Sequence, residues 1–190
     1  MKIQKKKLWL GLMAAALVAV VKPAQAANPV SVDITVSINA TKSLAVGATF
    51  YDFGAQSVNV STVATSAIVV TNDSNGLIES YAITGANAAS TGGGTTWTLA
   101  GSPGADIYSL AAQFSTAQPN NVDASWTNDS LTTSVINCEA TGGTLGNGTV
   151  GQSGYQVSPS ATRNLWFRLK PPTSVTDATQ RKATLTLAVQ

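Results

Sequence analysis

Histidine is absent from the 190 residues, and cysteine occurs once, at Cys138. Without imidazole, neither a Ser-His-Asp nor a Cys-His arrangement can be assembled, and the usual nitrogen ligand for zinc is missing. A single cysteine cannot form a disulfide within the chain. It reads as a small buried hydrophobe in Val135-Ile136-Asn137-Cys138, its other use being a bridge to a second chain. Charge is scarce too, with Asp, Glu, Lys and Arg at 11%. The acidic residues are scattered and form no local pair of the kind that supports glycoside hydrolysis. The Gly-rich stretches TGGGTT (91–96) and TGGTLGNGTVGQSG (141–154) lack the Gly-Lys-Ser/Thr ending of a phosphate loop. They read as loops. A non-catalytic protein without a cofactor or bound metal is expected.

Nor is there an apolar run long enough to span a bilayer. Residues 8–21 are apolar but fall short of the ~20 residues a span needs. They follow Lys2, Lys5, Lys6 and Lys7 and lead through Lys22-Pro23 into Ala24-Gln25-Ala26. A basic start, a short apolar stretch and a small-x-small exit form a secretory signal peptide, residues 1–26, cleaved after Ala26. The expected location is secreted or cell-surface, with no transmembrane anchor in the mature chain. Cleavage removes five basic residues and no acidic ones, leaving six against nine and a net charge of −3. A nucleic-acid partner loses its main support, since phosphate binding needs a basic surface.

Residues 27–190 are enough for a single domain with a real core. Ser, Thr, Asn and Gly supply 70 of these 164 residues, so the surface is built mainly from hydroxyls and amides. Such surfaces suit exported β-proteins and self-assembling surface proteins. Strand-like stretches recur at 43–54, 65–71, 80–84, 95–100, 108–115, 135–139, 155–157, 163–170 and 183–189, separated by Gly- and Pro-containing turns. Only 108–114 could equally be a short helix. Strands at this spacing imply an all-β sandwich or barrel.

Within FYDFGAQSVNVSTVATSAIVVTN (50–72), Tyr51-Asp52-Phe53-Gly54 and Ile68-Val69-Val70-Thr71-Asn72 fit a recurring frame. The frame is F-x-F-G, a short loop, a buried strand and then T-N, and here the chain resembles bacterial secreted immunoglobulin-like domains. The resemblance implies an all-β fold, an immunoglobulin-like antiparallel β-sandwich following the signal peptide, and says nothing of activity. A looser resemblance is to donor-strand filament subunits, whose cysteine pair and penultimate tyrosine are absent here.

The feature behind that second resemblance is VSVDITVSI, residues 30–38. Val30, Val32, Ile34, Val36 and Ile38 alternate with polar residues, so a strand here has one fully apolar face. Burying those five side chains contributes ~8–15 kcal/mol gross, at ~1.5–3 kcal/mol each. The segment is a candidate assembly strand that completes either its own sheet or a neighbour's. The short turn at 39–42 favours a local hairpin, hence its own domain.

Charge is unevenly distributed. Residues 163–190 carry five basic side chains against Asp177, whereas 27–162 carry Lys42 against eight acids. On RNLWFRLK, Leu165, Phe167 and Leu169 are expected to point inward. Trp166, Arg168 and Lys170 then share the outer stripe, a candidate interaction patch for the acidic body of another subunit. Oxygen-rich turns at 72–76, 121–123 and 128–130 lack the spacing of a calcium loop and read as ordinary Asx turns. The chain thus reads as a subunit of a bacterial surface filament or layer, a homopolymer assembled through strand edges. The competing class is an adhesin-like module that binds cell-surface glycan or another cell-surface ligand, which an exposed aromatic shelf near Trp97 or Trp126 would favour.

Overall fold

A computed structural model describes residues 33–139, 143–146 and 151–190. The expected signal peptide 1–26, Val30 and Val32 lie outside the described residues. The chain divides into two units, Met1–Ser37 and Ile38–Gln190. In the first unit only 33–37 are described, and they carry no strand.

The second unit is all-β. Its strands are β1 (Leu44–Val46), β2 (Thr62–Val63), β3 (Ile68–Asn72), β4 (Tyr81–Thr84), β5 (Ala89–Ser90) and β6 (Thr98–Leu99). They continue with β7 (Ile107–Phe114), β8 (Val135–Asn137), β9 (Thr162–Lys170), β10 (Arg181–Lys182) and β11 (Thr186–Val189). No α-helix occurs among the described residues, only a 3-10 turn at Asp123–Trp126. The larger sheet runs β1-β3-β9-β7-β6, with β2 also on β9; the smaller runs β11-β4-β8, and β5 pairs with β10. Every pair is antiparallel except β6 with β7.

The two sheets bury their inner faces in one core. Val70, Leu110, Phe114, Leu165 and Phe167 enter it from the larger sheet, Tyr81 and Ile83 from the smaller. The Tyr81 and Phe114 rings meet across the gap at 5.9 Å between centroids. Each such side chain contributes ~1.5–3 kcal/mol on burial, so this core supplies most of the driving force. On β9 the alternation sets direction: Leu165 and Phe167 are buried in the core, while Trp166 and Arg168 take the opposite face. The segment that a helix could also explain, 108–114, is a strand. It is buried on both faces, because residues after Phe114 fold back over the outer side.

The Y-D-F-G and T-N residues hold corners. Asp52 Oδ1 accepts the Gly54 amide at 2.8 Å, closing an Asx turn that needs the left-handed φ of +67° at Gly54. Asn72 is fully buried and bonds the carbonyls of Leu77 and Val157 through Nδ2. A buried amide satisfied in this way fixes where the chain leaves β3.

Cys138 is free and buried, and desolvation pushes its thiol up to about 12. The folded protein is therefore expected to be inert to a disulfide-exchange reagent, with one thiol reacting only in denaturant. Full titration in native buffer would refute this burial.

Candidate functional site

Three features combine chemistry with incomplete satisfaction, and two of them involve residues singled out in the sequence. The first is the outer face of the larger sheet. Trp166, Arg168 and Lys170 lie opposite Gln113, Ala111 and Ser109 of β7 and share that face with them. The face is covered, not open. The Asp123–Trp126 turn lies over it, and Trp126 packs with Val63, Ala111 and Trp166. Arg168 is 5% exposed, with Nε donating to Asn121 Oδ1 at 2.8 Å and a guanidinium N–H to Asp123 Oδ1 at 2.7 Å. Lys170 reaches the same Asp123 oxygen at 2.6 Å. Lys170 and Arg168 together hold the Asp123 carboxyl below the usual carboxylate range. The basic stripe is thus spent on its own chain, chiefly in pinning the loop that covers it.

The second feature lies beside the first. A cavity of about 420 Å³ opens between the end of β7 and the following segment, lined by Gln113, Gln118, Asn120, Ser125, Asn128 and Asp129, among others. Asp129 is 2% exposed. Its Oδ2 accepts from Gln113 Nε2 at 2.7 Å, but Oδ1 has no hydrogen-bond partner. Burial pushes this carboxyl up to about 6, although Gln113 and the nearby amides of Leu145 and Gly146 ease its ionisation. Those two amides favour the charge without making a bond of ordinary geometry to Oδ1.

This fixes the sign of a pH effect. With a folded pKa above the unfolded ~3.9, the native state holds the proton more tightly. Asp129 therefore destabilises the fold at neutral pH, and the loss is relieved as pH falls from about 6 to about 4. A rise of this size corresponds to on the order of 3 kcal/mol. Asp129→Asn should be more stable than the parent at pH 7.5 in metal-free buffer, the difference shrinking toward pH 4.5. Urea denaturation at the two pH values measures it; a pH-independent difference would contradict the assignment.

The third feature is the candidate assembly strand. Ile34, Val36 and Ile38 are 90%, 80% and 85% exposed, and residues 33–43 carry no strand. β1 pairs with β3. Two sheet edges in the second unit are also incomplete. β1 and β11 end their respective sheets, each with one side unpaired by any named strand. Val46 lies opposite the fully buried Val70, and so faces the core side, yet it is 38% exposed. Along the terminal stretch, Ala183, Leu185, Leu187 and Val189 alternate with exposed residues and are only half-buried against the core. Lys42, two residues before β1, bonds the carbonyl of Gln190, one residue after β11. The start of β1 and the end of β11 therefore meet at one corner.

The indole shelf is not formed at either expected position. Trp126 is 4% exposed and donates to the Asn120 carbonyl, and Trp97 is half-buried with the Arg181 guanidinium 5.1 Å from its ring. Among the described residues no helix is long and apolar enough to cross a membrane. Asp129 is the buried carboxyl group that sequence reasoning did not single out; its turn was visible, its burial was not. No protein-family model, curated protein or solved structure matches this chain.

Proposed function

We propose that the chain is a non-catalytic structural subunit, exported after cleavage behind Ala26, that polymerises into a bacterial surface filament or layer. On this reading the two sheets are an immunoglobulin-like sandwich, and residues 30–38 of one copy add as a strand to the open edge of β1 or β11 of the next. The observation that carries the proposal is the exposure of Ile34, Val36 and Ile38 on one alternating segment. Free subunits would leave those side chains in water, whereas the incompletely covered Val46 on the edge of β1 and Leu187 and Val189 on the edge of β11 offer apolar contacts. Nine extended residues reach roughly 30 Å, enough to run the length of either edge.

The acidic-body contact expected of Trp166, Arg168 and Lys170 receives no support from their burial and pairing with Asp123. The glycan-binding alternative is weaker for want of an exposed indole face at Trp97 or Trp126. The experiment is electron microscopy and light scattering of purified full-length protein over a concentration series. Filaments or sheets are the expected result. Protein that stays monomeric at the highest concentration would overturn the proposal.

A further inference from the structure

The pairing of β11 with β4 fixes which backbone groups of β11 face outward. Val189 lies opposite Tyr81, so Gln190 lies opposite Ser80, and the Gln190 amide donates to the Ser80 carbonyl at 2.9 Å. Bonded and unbonded pairs alternate along an antiparallel ladder. Ala188 and Thr186 therefore bond to β4, while the N–H and C=O groups of Leu187 and Val189 point to the open edge. The far side of β4 agrees, since the Tyr81 carbonyl turns away from Val189 and accepts the Cys138 amide at 2.9 Å. Among the described residues no turn or loop bonds the outward groups of Leu187 and Val189. The side chains of Ala183, Leu185, Leu187 and Val189 lie half-buried against the core, alternating with exposed Thr184, Thr186 and Ala188. Residues 183–189 hold neither a charge nor a proline, two devices that blunt a sheet edge. The other edges offer less: β1 turns Leu44 and Val46 to the core side, and β8 only Ile136.

We propose that β11, and not β1, is the acceptor edge, and that its occupant is residues 33–38 of a second copy. The inference rests on the strand addition proposed above and names its site. Ile34, Val36 and Ile38 stand two apart, as do Leu185, Leu187 and Val189, so a strand laid along this edge sets one apolar row beside the other. Six residues at ~3.4 Å each span ~20 Å, within the ~24 Å of residues 183–189. The backbone groups of Leu187 and Val189 supply the new ladder, and the incoming apolar side chains extend the cover of the core. Donor and acceptor are different surfaces of the chain, so the contact is head-to-tail. Each added copy leaves one unfilled edge or one unplaced segment at the end of the polymer, and growth has a direction.

The test is residue-resolved amide hydrogen exchange on the full chain, before and after it polymerises. The Leu187 and Val189 amides should exchange readily in the monomer and slow by about tenfold or more in the polymer. Those of Thr186, Ala188 and Gln190, already bonded to β4, should change far less, so the new protection alternates along the strand. Polymer whose new protection falls on Leu44 and Val46 instead would place the donor on β1; assembly would stand and this assignment would fall. Polymer with no new protection at any of these four amides would overturn it as well. Protein that never polymerises would overturn the strand addition itself, and this inference with it.

Discussion

On the proposed assembly, Ile34→Asp is expected to abolish polymerisation and to leave the folded subunit almost unchanged. In the free subunit the Ile34 side chain is 90% exposed, so a charge there meets water. A surface change of this kind moves stability by ~0.5 kcal/mol or less. In the assembled contact the same carboxylate would be buried without a partner. That costs several kcal/mol on top of ~1.5–3 kcal/mol of lost apolar burial, because an unpaired charge loses its hydration and gains no compensating bond. The expected signature is therefore a split result. Light scattering reports monomer where the parent polymerises, while the melting curves of the two monomers overlay. A chain lacking residues 27–38 should behave likewise, and a synthetic VSVDITVSI peptide should bind it and raise its melting temperature. Polymers of Ile34→Asp with parental length and yield would exclude the segment from the contact.

Phe114→Ala has the largest expected effect on the subunit itself, a loss of ~3–5 kcal/mol. Phe114 is fully buried at the end of β7 and meets the Tyr81 ring of the opposite sheet. Packing around it leaves no slack: a methyl group added at Gly154 would lie 2.7 Å from Phe114 Cε2 and 2.8 Å from Cys138 Sγ. A neighbourhood this tight collapses poorly into a void, which places the cost toward the upper end. Against a net stability of ~5–15 kcal/mol, this brings the fold near its limit. Urea denaturation measures it, and a loss below ~1 kcal/mol would mean that Phe114 does not bridge the two sheets.

What the sequence disclosed follows the range over which each feature is encoded. β7, β9 and β11 carry apolar residues with period two and β3 a short apolar run, and those local signals locate them and orient β9. β2, β5 and β10 are two residues each, mostly polar, and exist only because distant partners present matching edges. No local pattern announces such strands. The same limit governed the sites. Alternation assigned Trp166, Arg168 and Lys170 to one face but could not reveal that Trp126 and Asp123 fold over it. Asn128-Asp129-Ser130 was visible as an oxygen-rich turn, but the isolation of Asp129 Oδ1 depends on the wall supplied by Gln113 and its neighbours. The alternation of β11 was readable, whereas the half-coverage of Leu187 and Val189 follows from its place at a sheet edge, which no local pattern announces.

The corner where the chain enters β1 has a mechanical meaning. The Ser43 amide donates to the buried Glu79 carboxylate at 2.7 Å, and the Ser43 carbonyl accepts the Asp73 amide at 2.9 Å. In a polymer pulled along its length, tension arrives through residues 38–42 and meets this pair of bonds before it reaches the β1–β3 ladder. Force directed along β1 loads its rungs in shear, so they must yield together, whereas a sideways pull would peel them singly. In the proposed polymer, Glu79 would act as the cleat that keeps the line of force along the strand. A subunit so built would resist stretching more strongly than its three-residue edge strand suggests.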